Sequence, residues 1–378
     1  MAIACTNNGE EMENETYKIA VIPGDGVGTE ISREAVKVGM AAAEPDGITL
    51  EWDWYAWGCD YYLETGSMMP ADALEILKDY DAIFLGCIGD ATKVPDHISL
   101  SLLLDIRKGF DQYVNLRPIY LYEGVQTPLR TALAGEVDFV VIRENTEGEY
   151  SQIGGRFKRE TSDEIAIQTS VFTRKGTERV IKFAFELAQK RKKYEGENEE
   201  YIGMVTNCSK SNALNYSMVM WDYVFDEVSK EYPSVKKDFA LVDALSMWFV
   251  KNPDFFDVVV ASNLFGDIIT DLGAMLQGGM GFAAGGNINP ERCFPSMFEP
   301  IHGSAPKYKD KNIVNPVASI EATRLLLEHL ELYSAAARVK NAVSSVLKEG
   351  KVLTKDMKGK AGTSEMGDAI QNAIEKRL

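Results

Sequence analysis

The chain is 378 residues long, 45% hydrophobic and 26% charged, with a formal net charge of −17. At roughly 100–200 residues per domain, that length suggests two domains whose cores need no staples. A surface this acidic repels phosphate backbones and anionic headgroups, so nucleic acid and membranes are poor partners, and a small anionic substrate would need a local basic pocket.

Residues 1–16 (MAIACTNNGEEMENET) are polar and acidic, without the apolar core of a secretory signal or the arginines of a transit peptide. They read as a flexible tail. KIAVIP (Lys18 to Pro23) reads as a strand running into the turn GDGVG, and Glu30 to Ala43 has helical spacing. ITLEWDW (Ile48 to Trp54) alternates like a strand. AIFLG (Ala82 to Gly86) suits a buried parallel strand, and Ser101 to Phe110 reads as a helix carrying Arg107.

FVVIRE (Phe139 to Glu144) and IAIQTSVF (Ile165 to Phe172) are strand-like, Thr177 to Lys193 is a basic helix, and YEGENEE (Tyr194 to Glu200) is a polar loop. A strand and helix follow through MVTNCSKSNALNYSMVMW. DVVVASNLFGDIITDLGAML (Asp257 to Leu276) reads as strand, loop and helix, the stretch Gly278 to Asn287 is glycine-rich, and the C-terminal third is largely helical. Strands alternating with helices predict an α/β protein with a mostly parallel sheet. No apolar run reaches the roughly 18 residues of a membrane span. Cysteines at 5, 59, 87, 208 and 293 are odd in number and lack CxxC spacing, which fits reduced thiols in the cytoplasm.

Three constellations bear on chemistry. GDGVG (Gly24 to Gly28) follows a strand and precedes a helix, but it is not the full dinucleotide fingerprint, and a tight turn needing glycine freedom explains it as well. Arg107, Arg117 and Arg143 offer planar forks matched to carboxylates, and could form a pocket for a di- or tricarboxylate or three unrelated salt bridges. Asp267 and Asp271, at i and i+4, share one helix face, either as hard ligands for magnesium or manganese or as a solvated acidic surface. Asp243, in the apolar stretch FALVDALSMWFV, is a further oxygen ligand if buried there. His97, His302 and His329 form no HExxH or serine-triad pattern, so acid–base work falls to Lys, Tyr or carboxylates.

IPGDGVGTE, IRKGFDQYVNLRP, IRENTEGEY, SNLFGDIITDLG and EPIHGSAPKY occur in this order along almost the whole chain. Together they resemble the β-decarboxylating dehydrogenases of isopropylmalate, isocitrate, homoisocitrate, tartrate and D-malate. The resemblance implies an α/β fold of two domains sharing one large mixed sheet, not a Rossmann fold. Residues 17–112 with 279–378 would form the cofactor-binding domain, and 113–278 the substrate and dimerisation domain. It also implies a homodimer whose active sites are shared between subunits.

By motif, Arg107, Arg117 and Arg143 would grip substrate carboxylates. Tyr150 matches the catalytic tyrosine and Lys210 the catalytic lysine, with Asn212 beside it. Asp267 and Asp271 would hold Mg²⁺ or Mn²⁺ with Asp243, which, like Lys210 and Asn212, would come from the partner. Glu299, His302, Gly303, Ser304, Ala305, Lys307, Tyr308 and Asn315 would bind the cofactor.

The implied reaction is oxidation of a (2R)-hydroxy diacid at C2 followed by loss of CO2, with Lys210 as base and Tyr150 as acid. VPDHISL and FDQYVNLRP resemble the tartrate and D-malate enzymes. Ser101 stands where isocitrate enzymes carry serine, whereas Leu103 replaces their asparagine and is closer to the isopropylmalate type. Lys307 and Tyr308 stand where NAD-using members carry Asp, so the expected cofactor is NADP, with NAD as the alternative. Sister substrates (isopropylmalate, homoisocitrate, isocitrate) and a non-catalytic regulatory subunit are the competing readings.

Overall fold

The computed structural model describes residues 15–130, 134–195 and 200–376; residues 1–14 of the expected tail and most of the YEGENEE loop lie outside them. The strands are β1 (Thr16–Gly24), β2 (Thr49–Trp54), β3 (Ala82–Cys87), β4 (Val114–Tyr120), β5 (Asp138–Glu144), β6 (Gly148–Phe157), β7 (Ile165–Val171), β8 (Gly203–Ser209), β9 (Val235–Leu241), β10 (Val258–Ala261), β11 (Ala284–Ile288) and β12 (Ser296–Pro300). Ten of them form one sheet in the order β2-β1-β3-β12-β11-β4-β5-β10-β8-β9, and β6 and β7 form a separate two-stranded ribbon.

Both ends of the large sheet are parallel. The centre is not: β12, β11, β4 and β5 run antiparallel to one another in turn. The mostly parallel sheet expected from element order is therefore mixed, as the family resemblance implied. β1, helix Gly28–Ala43 and β2 form a parallel βαβ unit, but the strand order is not the 3-2-1-4-5-6 of a Rossmann sheet.

Alternation along the strands sets four apolar layers. At the β2-β1-β3-β12 end, Ile19, Val21, Phe84 and Phe298 face helices Gly28–Ala43, Val317–His329, Tyr333–Glu349 and Thr363–Glu375. Ala20, Ile22, Ile83 and Leu85 face the opposite way, toward the short helices that include Ser101–Gly109. At the other end, Val140, Ile142 and Val258 pack under helices Arg174–Arg191 and Ser217–Ser229. Phe139, Val141 and Val259 pack under Val242–Lys251 and Asn263–Leu276. The basic helix begins where Thr173 caps it, its hydroxyl oxygen accepting from the Gly176 N–H at 2.9 Å.

Two segments read differently from their composition. The glycine-rich stretch contains β11, a strand at the very centre of the sheet. A Cβ on Gly286 would lie 2.9 Å from the Phe298 ring and one on Gly285 2.7 Å from Ile301, so neighbouring side chains fill the space. The apolar stretch around Asp243 is not core throughout. Leu245 and Phe249 are buried, but Met247, Trp248 and Val250 of the same helix are exposed.

Trp221, fully buried, fills the layer under helix Ser217–Ser229 and donates its Nε1–H to Asn207 Oδ1 at 2.8 Å. Trp221→Ala is expected to cost about 3–5 kcal/mol by opening a cavity. Urea unfolding followed by circular dichroism measures this; a loss within experimental error would mean that the layer repacks.

Candidate active site

Arg117 on β4 and Arg143 on β5 project from the sheet face covered by helix Asn263–Leu276. That helix can ride directly on Arg143 because residue 266 is glycine; a Cβ there would meet the Arg143 side chain at 2.6 Å. Arg107 comes from the last turn of helix Ser101–Gly109. All three guanidinium side chains are buried, and they converge on one cavity of about 350 Å³. Tyr150, Asp267, Asp271, Glu299 and Gly303 also line it, with an apolar wall of Leu100, Leu103 and Leu104.

Buried guanidiniums are costly unless paired and hydrogen-bonded. Arg143 is ion-paired with Asp267 and also donates to Asn263 Oδ1, at 3.0 Å from Nε and 2.7 Å from Nη2. Arg117 donates to Thr270 Oγ1 at 2.5 Å and lies 3.4 Å from Asp267 Oδ1. Arg107 pairs with Glu299 Oε1 at 2.8 Å. The Nε atoms of Arg107 and Arg117 remain buried without a partner. Cationic forks with donors to spare make a receptor for carboxylates.

Asp267 is the hub of the charge arrangement. Burial pushes its carboxyl up, but Arg143 and Arg117, with a hydrogen bond from Tyr150, outweigh this and hold it below the ordinary carboxylate range. Asp271 moves the other way: burial, against the pull of Arg117, and the nearby Asp267 charge raise it. The Arg143 guanidinium is lowered by burial and by Arg117, with Asp267 restoring part of the loss. Tyr150 donates its hydroxyl to Asp267 Oδ2 at 2.9 Å, and the Arg143 guanidinium lies 5.3 Å from its ring centroid. Burial first, then the Asp267 charge, raises its phenol above the usual value, against the pull of Arg143. It therefore holds its proton at neutral pH.

A second cleft of about 690 Å³ adjoins this cavity through Gly303, which lines both. Its wall includes Val27, His302, Ala305, Tyr308, Asn315, Lys355 and Asp356. Five expected cofactor residues thus meet there: His302, Gly303, Ala305, Tyr308 and Asn315. The others stand apart from its lining. Glu299 faces the arginines, the Ser304 hydroxyl donates to Gly89 O, and the Lys307 ammonium rests 4.8 Å from the Tyr308 ring centroid. Lys355 and Asp356 carry no sequence signal; they arrive from a short turn far along the chain.

Other expected residues lie outside the cavity within one chain. Leu103 lines it, but Ser101, on the same helix, does not. Lys210 follows β8 and forms an ion pair with Asp243 at 2.8 Å. Asp243 is exposed, which corrects its reading as a buried carboxylate: it opens a helix whose outer face is open to solvent. Asn212 is exposed in the same loop as Lys210. Among the described residues, no three His, Cys, Asp or Glu side chains gather into a metal-binding group. Asp267 and Asp271 are hard oxygen donors suited to a divalent ion, which would need further ligands from elsewhere. Sequence reasoning did not single out Thr270, Asn263, Leu100 or Leu104; only the helix packing brings them to the arginines.

Comparison with known proteins bears directly on this geometry. A family model described as isocitrate/isopropylmalate dehydrogenase matches residues 18–370. The chain belongs to the isocitrate/isopropylmalate dehydrogenase family. It is 47% identical to a tartrate dehydrogenase/decarboxylase of Pseudomonas putida, covering 97% of this chain and 100% of that protein. It is 46% identical to the decarboxylating D-malate dehydrogenase of Escherichia coli (strain K12), covering 95% and 99%. The crystal structure of isocitrate dehydrogenase from Methylococcus capsulatus superimposes with a TM-score of 0.83 at 35% identity, over 95% of this chain and 99% of that one. Within this family fold, the mixed sheet and the arginine cavity are the features that the motifs above were expected to build.

The charge balance around Asp267 predicts a pH signature. Its folded pKa is depressed, so its stabilising contribution is complete above the ordinary carboxylate value and is lost only as pH falls through the lowered one. Asp267→Asn in chelator-treated buffer should lower Tm by the same amount from about pH 8 to about pH 5, with the gap narrowing only below about pH 4. A gap that already closes between pH 7 and 6 would show that Asp267 is not held by the arginines.

Proposed function

We propose that this protein is a homodimeric, divalent-metal- and NADP-dependent dehydrogenase that oxidises and decarboxylates D-malate. The observation carrying the proposal is the cavity itself: three buried guanidiniums beside Asp267, Asp271 and Tyr150, joined by Gly303 to a second cleft of about 690 Å³.

The substrate reading follows from the walls. Arg107, Arg117 and Arg143 match two carboxylates at fixed separation. Apart from Gly303 and the polar residues already named, the rest of the wall is apolar: Leu100, Leu103, Leu104, Met280 and Ile301, which offer no polar side chain to a substituent on the substrate's C3. A third carboxylate there, as in isocitrate, would be buried without a partner, and a C3 hydroxyl, as in tartrate, would go unpaired. D-malate presents only hydrogen. The named activities of the P. putida and E. coli relatives support the same class of substrate.

A divalent ion held by Asp267 and Asp271 would supply Lewis-acid polarisation of the C2 oxygen and stabilise the enolate left by CO2. A nicotinamide ring in the adjoining cleft would accept the hydride. The chain's own residues do the rest. The arginines orient the diacid and keep water out, and Tyr150 holds a proton at its phenolic oxygen, ready for the carbanion carbon. Lys210, with Asp243 and Asn212, would enter from the partner as base and metal ligand. Support for a partner comes from exposed apolar side chains: Tyr216, Met247, Trp248, Ile268 and, on the β6–β7 ribbon, Ile153 and Ile167. Such exposed apolar side chains are candidates for cover by a second subunit.

Cofactor choice rests on Tyr308 and Lys355 in the cleft, with Lys307 against the Tyr308 ring. Asp356, the carboxylate that could take a ribose diol, already accepts from Asn315 Nδ2 at 3.0 Å and Thr354 Oγ1 at 2.5 Å. Lysines suit a 2′-phosphate instead. Steady-state assays with Mn²⁺ should give kcat/KM for D-malate at least about 100-fold above isocitrate, and a higher value with NADP than with NAD. A preference for isocitrate or for NAD would refute the respective part.

The shared site has its own test. Tyr150→Phe and Lys210→Ala proteins should each be nearly inactive. Mixed and refolded together, they should recover about a quarter of wild-type activity, because heterodimers regain one intact site. No recovery would place Lys210 outside the partner's site.

A further inference from the structure

The GDGVG turn places Val27 in the wall of the large cleft and takes part in a hydrogen-bonded junction beside it. Asp25 is 7% exposed. Its Oδ1 accepts the Cys59 N–H and its Oδ2 accepts the Gly89 N–H, each at 2.8 Å. Its own N–H donates to Cys87 O at 2.7 Å. A carboxylate this buried is costly unless hydrogen-bonded, and here the two backbone N–H groups that satisfy it also tie three segments of the chain together.

What it fixes is a ring. The Gly89 carbonyl accepts the Ser304 hydroxyl. The Ser304 carbonyl accepts the Val27 N–H at 2.8 Å, and the chain returns from Val27 to Asp25. The backbones meet so closely that a Cβ on Gly26, where φ is +58°, would lie 2.0 Å from Ser304 O. The ring joins the segments that leave the carboxyl ends of β1, β3 and β12, which lie side by side and parallel. It reaches both spaces: Val27, a member of the ring, lines the large cleft, and Gly303, next to Ser304, lines both the cleft and the arginine cavity.

We infer that Asp25 is a positioning residue for the dinucleotide: through Gly89 and Ser304 it sets where Gly303 and Val27 stand in the wall of the cofactor cleft. This rests on the reading of that cleft as the nicotinamide dinucleotide site. Asparagine cannot replace it fully, because its amide nitrogen would face one of the two N–H donors.

The test uses full-length Asp25→Asn, Asp25→Ala and Ser304→Ala proteins. Calorimetry gives Kd for NADPH and NADH, and steady-state kinetics with Mn²⁺ gives KM for cofactor and for D-malate separately. Asp25→Ala should raise cofactor Kd and KM about tenfold, with Asp25→Asn and Ser304→Ala between it and wild type. KM for D-malate should move less than about twofold, since a loss confined to cofactor placement leaves the arginine cavity intact. A merely structural role would lower Tm and the active fraction without separating the two KM values. If Asp25→Ala does not fold, Ser304→Ala decides, since it cuts the ring while leaving Asp25 and both its N–H contacts in place. Folded variants that bind cofactor like wild type, or that lose cofactor and diacid affinity together, would overturn the inference. Wild-type protein that binds neither dinucleotide would overturn the cleft reading and this inference with it; wild type that binds while the variants bind equally well would overturn this inference alone.

Discussion

Three guanidinium groups buried in one cavity repel one another, and little else in the molecule can be arranged without first satisfying them. The structure answers with Asp267 between Arg143 and Arg117 and with Glu299 against Arg107. Neither carboxylate saturates its partners: two Nε atoms stay unpaired. The result is an electropositive receptor inside a protein of net charge −17. An acidic surface and a local cationic pocket coexist because the guanidinium forks are sheltered from that surface and focused into one space.

The architecture exists to bring those charges together. Arg117 and Arg143 stand on adjacent antiparallel strands at the centre of the sheet, where the two parallel ends are joined. Arg107 and Glu299 arrive from elements of the opposite end. Helix Asn263–Leu276 lies over the arginines and supplies Asn263, Asp267, Thr270 and Asp271 from its successive turns. Gly266 is the geometric condition for that approach. A bulkier residue would lift the helix and separate Asp267 from both guanidiniums at once.

The same logic explains why one chain looks unfinished. Asp243 and Lys210 pair with each other at the surface, beside exposed Met247, Trp248 and Tyr216. An ion pair in solvent is worth little. It leaves both side chains free to be recruited across an interface, where apolar neighbours would be covered in the same event. A site divided between two chains, as proposed, would tie catalysis to assembly.

Strand and helix periodicity made most elements legible, and the order of long motifs made the family legible, because both are written in short windows of sequence. The arginines and the Asp267–Asp271 pair could be singled out from residue chemistry, but not their convergence. The glycine-rich run gave no sign of β11, since a strand whose space is filled by neighbours needs no side chains of its own. Pro118 and Arg117 masked β4: its burial alternates, but one inward position is filled by an arginine instead of an apolar side chain. Lys355 and Asp356 were invisible because their place in the cleft depends on a chain reversal that no local pattern encodes. Sequence by itself determined which side chains carry charge, which segments are apolar on one face, and hence the family. Only the tertiary structure decided which charges are buried together, because burial is a property of elements packed from distant parts of the chain.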